Sequence, residues 1–304
     1  HITQELTMAA SATTYPVVIG YDGSAPSEAA LQWAARAAEH RELGLVVMHA
    51  AEQITYTQDA GSGLRKAEDI VAEAAEVAAH GRDTVLETFP DLEVETVGSL
   101  FSAKVALGEM STRASMVVVG SHGRGRVGTF FLGSTAYAIA AYSRCPVIIV
   151  HSGSSDLPGP ERPVVVGVNG TGGADRAVDR AVQVAREWHA PLVLATTWAP
   201  APPDPWDKGP VGYHSAAEAS ADYKATAERV NAEALERIGV ANEDLRVAGT
   251  VIEDRAVEGL VQAGDEGGLL VLGTRGHGSQ AGALLGSVSL GILHRATSPI
   301  MIVN

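Results

Sequence analysis

The chain says nearly the same thing twice, and that repetition limits what it can fold into more than any other feature. Pro16 to Tyr21 (PVVIGY), followed by Asp22, Gly23 and Ser24, returns 147 residues later as Pro163 to Val168 (PVVVGV), followed by Asn169, Gly170 and Thr171. Met116 to Gly120 (MVVVG) returns as Leu269 to Gly273 (LLVLG), and Cys145 to Val150 (CPVIIV) as Ser298 to Val303 (SPIMIV), both 153 residues on. Three blocks in one order mean two copies of one domain, the second with a small net insertion. A chain of 304 residues is long enough for two compact units. The expected division is a first domain over 14–151, a Ser-, Gly- and Pro-rich connector over 152–162, and a second domain over 163–304.

Within each copy, short β-branched runs alternate with longer stretches of helical period. The runs read as fully apolar, as strands buried on both faces of a parallel sheet do. Strands are predicted near 16–21, 44–50, 93–98, 115–120 and 146–150, and again near 163–168, 191–197, 245–250, 268–273 and 299–303. Helices are predicted near 26–41, 63–80 with an extension to 88, 102–113 and 133–144. This alternation implies right-handed crossovers and a doubly wound α/β layer. The proline-rich stretch Ala199 to His214 reads as a surface loop inserted after the second strand of the second copy, with Trp206 as its anchor.

Composition narrows the function classes. With 22 basic and 36 acidic side chains the net charge is −14, which disfavours general nucleic-acid binding and requires a local reversal of charge at any anion site. The lone Cys145 cannot form an intrachain disulfide, so a cytoplasmic protein is expected. Neither a membrane-spanning run nor a signal pattern is found, and Met8 is expected to be the natural start, with His1 to Thr7 left out of the fold argument.

The strongest chemical signal follows the fourth strand of each copy. Gly120, Gly123, Gly133 and Ser134 in the first, and Gly273, Gly276, Gly286 and Ser287 in the second, share one spacing: G, two residues, G, nine residues, G, S. Glycines leaving the carboxyl end of a strand let backbone N–H groups approach a ligand. Gly133–Ser134 and Gly286–Ser287 stand where a helix starts, at its positive dipole end. No acid occurs between Glu109 and Asp156, while Arg113, Arg124, Arg126 and Arg144 do; after Glu266 the second copy is also free of acids and carries Arg275 and Arg295. The competing reading is that such glycines only turn the chain and such serines only cap a helix.

Other phosphate and catalytic motifs fail. There is no Gly-Lys dipeptide and hence no Walker A loop. Gly123, Gly125 and Gly128 match GxGxxG, but after the fourth strand and without a later acid for a ribose. No GxSxG elbow or HExxH occurs, and His122 and His277 lack metal-ligand companions.

On the repeated G-x2-G-x9-G-S loop, the first-strand ending Gly20-Tyr21-Asp22-Gly23-Ser24, the helix Ala29 to Arg36 and the closing Cys-Pro-Val strand, the chain resembles the universal stress protein family, tandem two-domain type, ATP-binding branch. The resemblance runs from about Thr14 to the end. It implies two Rossmann-like domains of the adenine nucleotide α-hydrolase-like type, each a five-stranded parallel sheet of order 3-2-1-4-5 with helices on both faces and ATP across the ends of strands 1 and 4. By position it implies that Gly20, Tyr21 and Asp22 line the nucleoside side, with Ala50 touching the adenine and Val119 and Gly120 flanking adenine and ribose. Gly123, Arg124, Arg126, Gly133, Ser134 and Thr135 would hold the triphosphate. The second set is Gly167, Val168, Asn169, Thr197, Leu272, Gly273, Gly276, Gly286, Ser287 and Val288. Asn169 replaces the usual Asp and loses its charge, and Arg124 and Arg126 have no second-copy counterparts. Asp22 has an alternative as a turn former or cap.

The leading functional expectation is a nucleotide-dependent regulator of stress response or growth, with one ATP site per domain. A slow ATPase and a nucleotide-free interaction scaffold are the alternatives; no convincing general base is visible. Whether Mg²⁺ accompanies the nucleotide is open. The apolar fifth strands, Val147 to Val150 and Ile300 to Val303, need cover and are expected to meet across a pseudo-twofold within the chain; a further homodimer is left open.

Overall fold

The computed structural model describes residues 15–51, 67–123, 132–154, 157–202, 210–274 and 285–304. Arg124, Arg126, Gly276 and Trp206, and the GxGxxG match beyond Gly123, lie outside the described residues. The strands are β1 (Val17–Gly20), β2 (Leu45–Ala50), β3 (Val94–Ser99), β4 (Met116–Gly120) and β5 (Val147–Val150), then β6 (Val164–Gly167), β7 (Leu192–Trp198), β8 (Val247–Glu253), β9 (Leu269–Gly273) and β10 (Ile300–Val303). The helices are α1 (Ala25–His40), α2 (Ala67–Thr88), α3 (Ala103–Met110), α4 (Ser134–Tyr142), α5 (Gly172–Glu187), α6 (Ala216–Ala241), α7 (Ala256–Asp265) and α8 (Ser287–Leu293). The helix expected over 102–113 ends earlier, and Ser111–Arg113 tightens into a 3₁₀ turn in which Ser111 Oγ donates to the Gly108 carbonyl at 2.6 Å.

All ten strands form one sheet in the order β3-β2-β1-β4-β5-β10-β9-β6-β7-β8. Each half is parallel and ordered 3-2-1-4-5, while β5 and β10 pair antiparallel, with Val147 opposite Ile302, Ile148 opposite Met301 and Ile149 opposite Ile300. An antiparallel pair relates its halves by a twofold normal to the sheet, so equivalent helices stay on one side. One face carries α1, α2, α5 and α6 around Trp33, Leu31, Ala78, Val178 and Ala234; the other carries α3, α4, α7 and α8 around Leu107, Ile139, Leu260 and Ile292.

The inner strands β1, β4, β6 and β9 are buried at every residue but the closing glycine, which is half-buried, as their apolar runs predict. The third strands correct that expectation. No residue of β3 or β8 is buried, because these strands are the outer edges of the sheet, and their sequences, VETVGS and VAGTVIE, are mixed rather than apolar. Gly98 in β3 lets α2 approach closely: a methyl group there would stand 2.7 Å from both the Val71 carbonyl oxygen and the Ala75 nitrogen.

The connector packs against the second half. Pro158 is buried, Leu157 lies on the core, and Gly159 and Arg162 form an antiparallel bridge. The central seam is closed on the α1/α5 side by the C-terminal ends of those helices. Arg41 Nε meets a Glu187 carboxylate oxygen at 2.7 Å, and the His40 ring stacks on Trp188 at 3.9 Å while its Nε2–H donates to the Glu187 carbonyl at 2.9 Å. On the other side His151, buried after β5, donates from Nε2 to the Leu293 carbonyl at 3.2 Å.

Three outcomes follow from the seam. Ile149→Ala, at a fully buried position, should cost about 2–5 kcal/mol in chemical denaturation. Both halves should still melt in one transition, because they share the strand pair. Burial pushes the His151 pKa below its ordinary 6.5, so the unfolded chain binds a proton that the native one refuses. Stability is thus undiminished by this residue above about pH 6.5 and falls as the pH drops below it; His151→Gln should flatten that part of a denaturation-versus-pH curve.

Candidate functional site

The ends of β1 and β4 lie side by side, with Gly20 in register with Val119, where the strand order reverses between neighbours β2 and β5. That is the crevice position at which open α/β sheets bind ligands. Glycine is needed there for contact. A methyl at Gly20 would come within 2.9 Å of Leu107 Cδ1, and one at Gly120 within 2.8 Å of the Pro26 carbonyl carbon, so α3 and the first turn of α1 close directly on the strand ends.

The segment after β1 turns by side-chain chemistry that both halves repeat. Asp22 Oδ1 accepts from the Ser24 N–H at 2.9 Å across Gly23, whose φ is 73°, and Ser24 caps α1. In the second half Asn169 Oδ1 accepts from the Thr171 N–H at 3.1 Å and from its hydroxyl at 2.7 Å across Gly170, φ 72°, and Thr171 caps α5. The turn-forming reading of Asp22 is therefore met by one of its oxygens. The other faces the loop after β4: a methyl at Gly123 would be 2.6 Å from Asp22 Oδ2.

Tyr21 has a different place from the one its neighbours suggest. Its ring is buried in the α1/α2 core, against the Cα of Gly81, and its hydroxyl donates to the Glu28 carboxylate. Only its backbone faces the crevice side, where its carbonyl accepts from His49 Nδ1 at 2.7 Å. Val168, the counterpart, is also buried. His49 is a residue the sequence reading missed; a polar residue just before the last position of an otherwise apolar β2 run is the signal that could have found it.

The returning loop leads into α4. Gly133 donates its N–H to the Ser121 carbonyl at 2.7 Å, and Gly286 does the same to Thr274 at 2.7 Å. Gly133 and Gly286 are then the N-caps of α4 and α8, with no side-chain cap on either helix, in contrast to the serine and threonine that cap α1 and α5. The first-turn amides of α4 thus have no N-cap side-chain acceptor, beside an exposed Ser134 and a half-buried Thr135. Leu132, just before, donates its N–H to His294 Nδ1 of the second half at 3.3 Å.

Among the described residues the structure brings Gly20, Asp22, Gly120 and Gly123 together at the strand ends, with Ala50 at the end of the adjoining β2 and Gly133 tied by its N–H to the Ser121 carbonyl. In the second half Gly167 closes on Leu260 and Leu272, with 3.3 and 3.4 Å to a methyl there, and Ser289 Oγ donates to the Gly273 carbonyl at 2.9 Å. Thr197 Cγ2 is turned to Gly259 of α7, Val288 is half-buried and Ser287 exposed. No group of three or more His, Cys, Asp or Glu able to hold a metal occurs among the described residues. No helix there is long and apolar enough to cross a membrane.

Comparison with known proteins agrees with this geometry. The model of the universal stress protein family matches residues 14–151 and again 161–304. A universal stress protein of Mycolicibacterium smegmatis is 30% identical over 98% of this chain and 99% of its own length. One from Mycobacterium tuberculosis is 29% identical over 97% of this chain and 98% of its own. The crystal structure of a universal stress protein from Archaeoglobus fulgidus superimposes over 95% of each chain with a TM-score of 0.67 at 19% identity, which speaks for the fold. With a doubled β1–β4 crevice, a doubled glycine-capped fourth helix and both halves matched by one family model, this chain is a tandem member of the universal stress protein family.

Proposed function

We propose that the chain is a nucleotide-dependent regulator of stress response or growth that binds ATP at the carboxyl ends of β1 and β4, with one site in each of two domains, 14–151 and 163–304, joined by 152–162. The observation that carries this reading is the pairing of two features at one place: a helix whose N-cap is glycine with no capping side chain, and three glycines, at 120, 123 and 133, where a Cβ would press on the Pro26 backbone, on Asp22 Oδ2 and on His122, so that the strand end and the loop flanking it are bare backbone. Unpaired amides at a positive helix end suit a polyphosphate, and bare backbone lets it approach.

The residues present fit an adenine nucleotide. Gly20, the Tyr21 backbone and Asp22 would face the nucleoside, with Ala50 and Val119 as its apolar walls. Gly123, Gly133, Ser134 and Thr135 would hold the phosphates, joined by Arg124 and Arg126. When bound, the nucleotide would supply a polyanion for these backbone amides and side chains to hold. Asp22 holds its own turn with one oxygen and meets the loop with the other, so it couples the nucleoside side to the phosphate side. The first site is better equipped than the second. Asn169 keeps the turn but lacks the charge, and Arg124 and Arg126 correspond to His277 and Ser279.

Binding is tested by titration calorimetry with ATP and by mass analysis of small molecules released when freshly purified protein is denatured. The expected result is uptake by the native chain. Gly123→Ala places a methyl against a movable carboxylate rather than backbone, so the fold should persist while ATP affinity falls about tenfold or more. Gly120→Ala meets the Pro26 backbone and should lower stability as well. No uptake of ATP by the native chain would sink the proposal.

A further inference from the structure

The duplication offers an internal control: a contact that one half makes and its equivalent cannot make is not required by the shared fold. One such contact crosses between the halves beside the first site. The Leu132 N–H donates to Nδ1 of the half-buried His294 at 3.3 Å. Leu132 immediately precedes Gly133, the N-cap of α4, and His294 is the C-cap of α8. Their counterparts, at the offset of 153, are Leu285 and Ala141. Leu285 also precedes a glycine N-cap, Gly286, but Ala141 has no side-chain acceptor to offer it. At these positions the second half reaches into the first, and the first does not reach back.

His294 is anchored where it makes this bond. Its neighbour Leu293 is buried, and the Leu293 carbonyl accepts from His151 Nε2, so the end of α8 is pinned to the residue that follows β5. The path onward is short. Leu132 gives its amide to His294, Gly133 gives the next amide to the Ser121 carbonyl at 2.7 Å, and Ser121 gives its own to the Val150 carbonyl at 2.9 Å, one residue before His151. The circuit from β5 through α8, the start of α4 and the end of β4 returns to β5. Each backbone N–H has one direction, so fixing two in succession sets how the chain enters α4. The second half keeps the inner part of this arrangement, with Gly286 donating to Thr274 at 2.7 Å and Thr274 to Val303 at 3.1 Å. It lacks the link across the seam.

We propose that His294 is a positioning residue for the nucleotide site of the other half: by accepting the Leu132 amide it sets the approach of the chain to the glycine cap of α4, so that the first site is completed by the second half. The inference rests on the ATP reading above and adds to it an unequal dependence on the seam. Loosening the α8 end from the first half weakens the first site and leaves the second as it was. The chemistry asked of His294 is narrow. Nδ1 must be a bare acceptor, with the ring proton on Nε2. Asparagine carries Oδ1 on the same Cγ from which Nδ1 projects, so it can accept the same amide, whereas leucine fills similar space and accepts nothing.

The test uses the full chain and two readouts. Hydrogen exchange of the Leu132 amide, followed by NMR without nucleotide, reads the tie; calorimetry with ATP reads the site. His294→Leu should speed exchange at Leu132 about threefold or more and weaken one of the two ATP-binding steps by a similar factor, leaving the other unchanged. His294→Asn should restore both, which a loss of packing alone would not allow. Glu187→Gln, which disturbs the seam on the α1/α5 side, should move neither. The proposal is overturned if His294→Leu leaves Leu132 exchange or ATP affinity as in the parent, if His294→Asn does not restore them, or if Glu187→Gln reproduces the loss. A native chain that takes up no ATP overturns the nucleotide reading and this role with it. A native chain that binds ATP at two sites, both indifferent to His294, overturns the positioning role alone.

Discussion

Everything in this molecule is organised about the antiparallel contact of β5 with β10. A parallel five-stranded layer that places its first strand at the centre must leave its fifth strand as an open edge. Here the edges are Val147–Val150 and Ile300–Val303, each buried along its whole length. An edge of that kind alone in water would template association with any other strand. Joining the two within one chain removes the hazard and makes ten strands continuous. What remains as true edge is β3 and β8, and their mixed sequences are what such positions tolerate.

The halves are close in backbone and far from identical in the chemistry that meets at the seam. His40 and Glu187 occupy equivalent positions, as do Arg41 and Trp188. The twofold therefore makes the same contact twice, once as His40 on Trp188 and once as Glu187 with Arg41, both across the C-terminal ends of helices whose carbonyl dipoles favour cations. Even the residues that end these helices agree, Glu42 and His189 having φ of 52° and 50°.

Much of this was legible in the sequence, for a reason that can be localised. Repeated apolar blocks at fixed offsets located every inner strand, and the repeated glycines marked the ends of β4 and β9, because buried strands and close backbone approaches tolerate few residue types. The third strands were harder. VETVGS and VAGTVIE were found as strands but misjudged as doubly buried, since edge position depends on strand order, which local pattern does not encode. The family resemblance implies Tyr21 at the site, yet strand alternation turns its ring to the α1/α2 side, where Gly81 makes room and Glu28 receives its hydroxyl. His49 escaped notice because its partner is a backbone carbonyl 28 residues earlier, an acceptor that every residue type supplies equally.

The unequal seam contacts bear on why the halves pair with each other and not with their own kind. If two first halves met through β5, the twofold would set His40 against Arg41 at both contacts, with no carboxylate between. Two second halves would set Glu187 against Trp188, burying a carboxylate on an apolar ring at a helix end that already repels it. Only the mixed arrangement gives the Arg41 guanidinium its acid and the Trp188 ring its stacked partner. Burial and the nearby Arg41 both push the Arg180 guanidinium below its ordinary pKa, a sign of how little surplus positive charge this region accepts. Tethering raises the effective concentration of the correct partner, and the alternated residues penalise the wrong ones, so the link and the seam specify the same pairing by independent means.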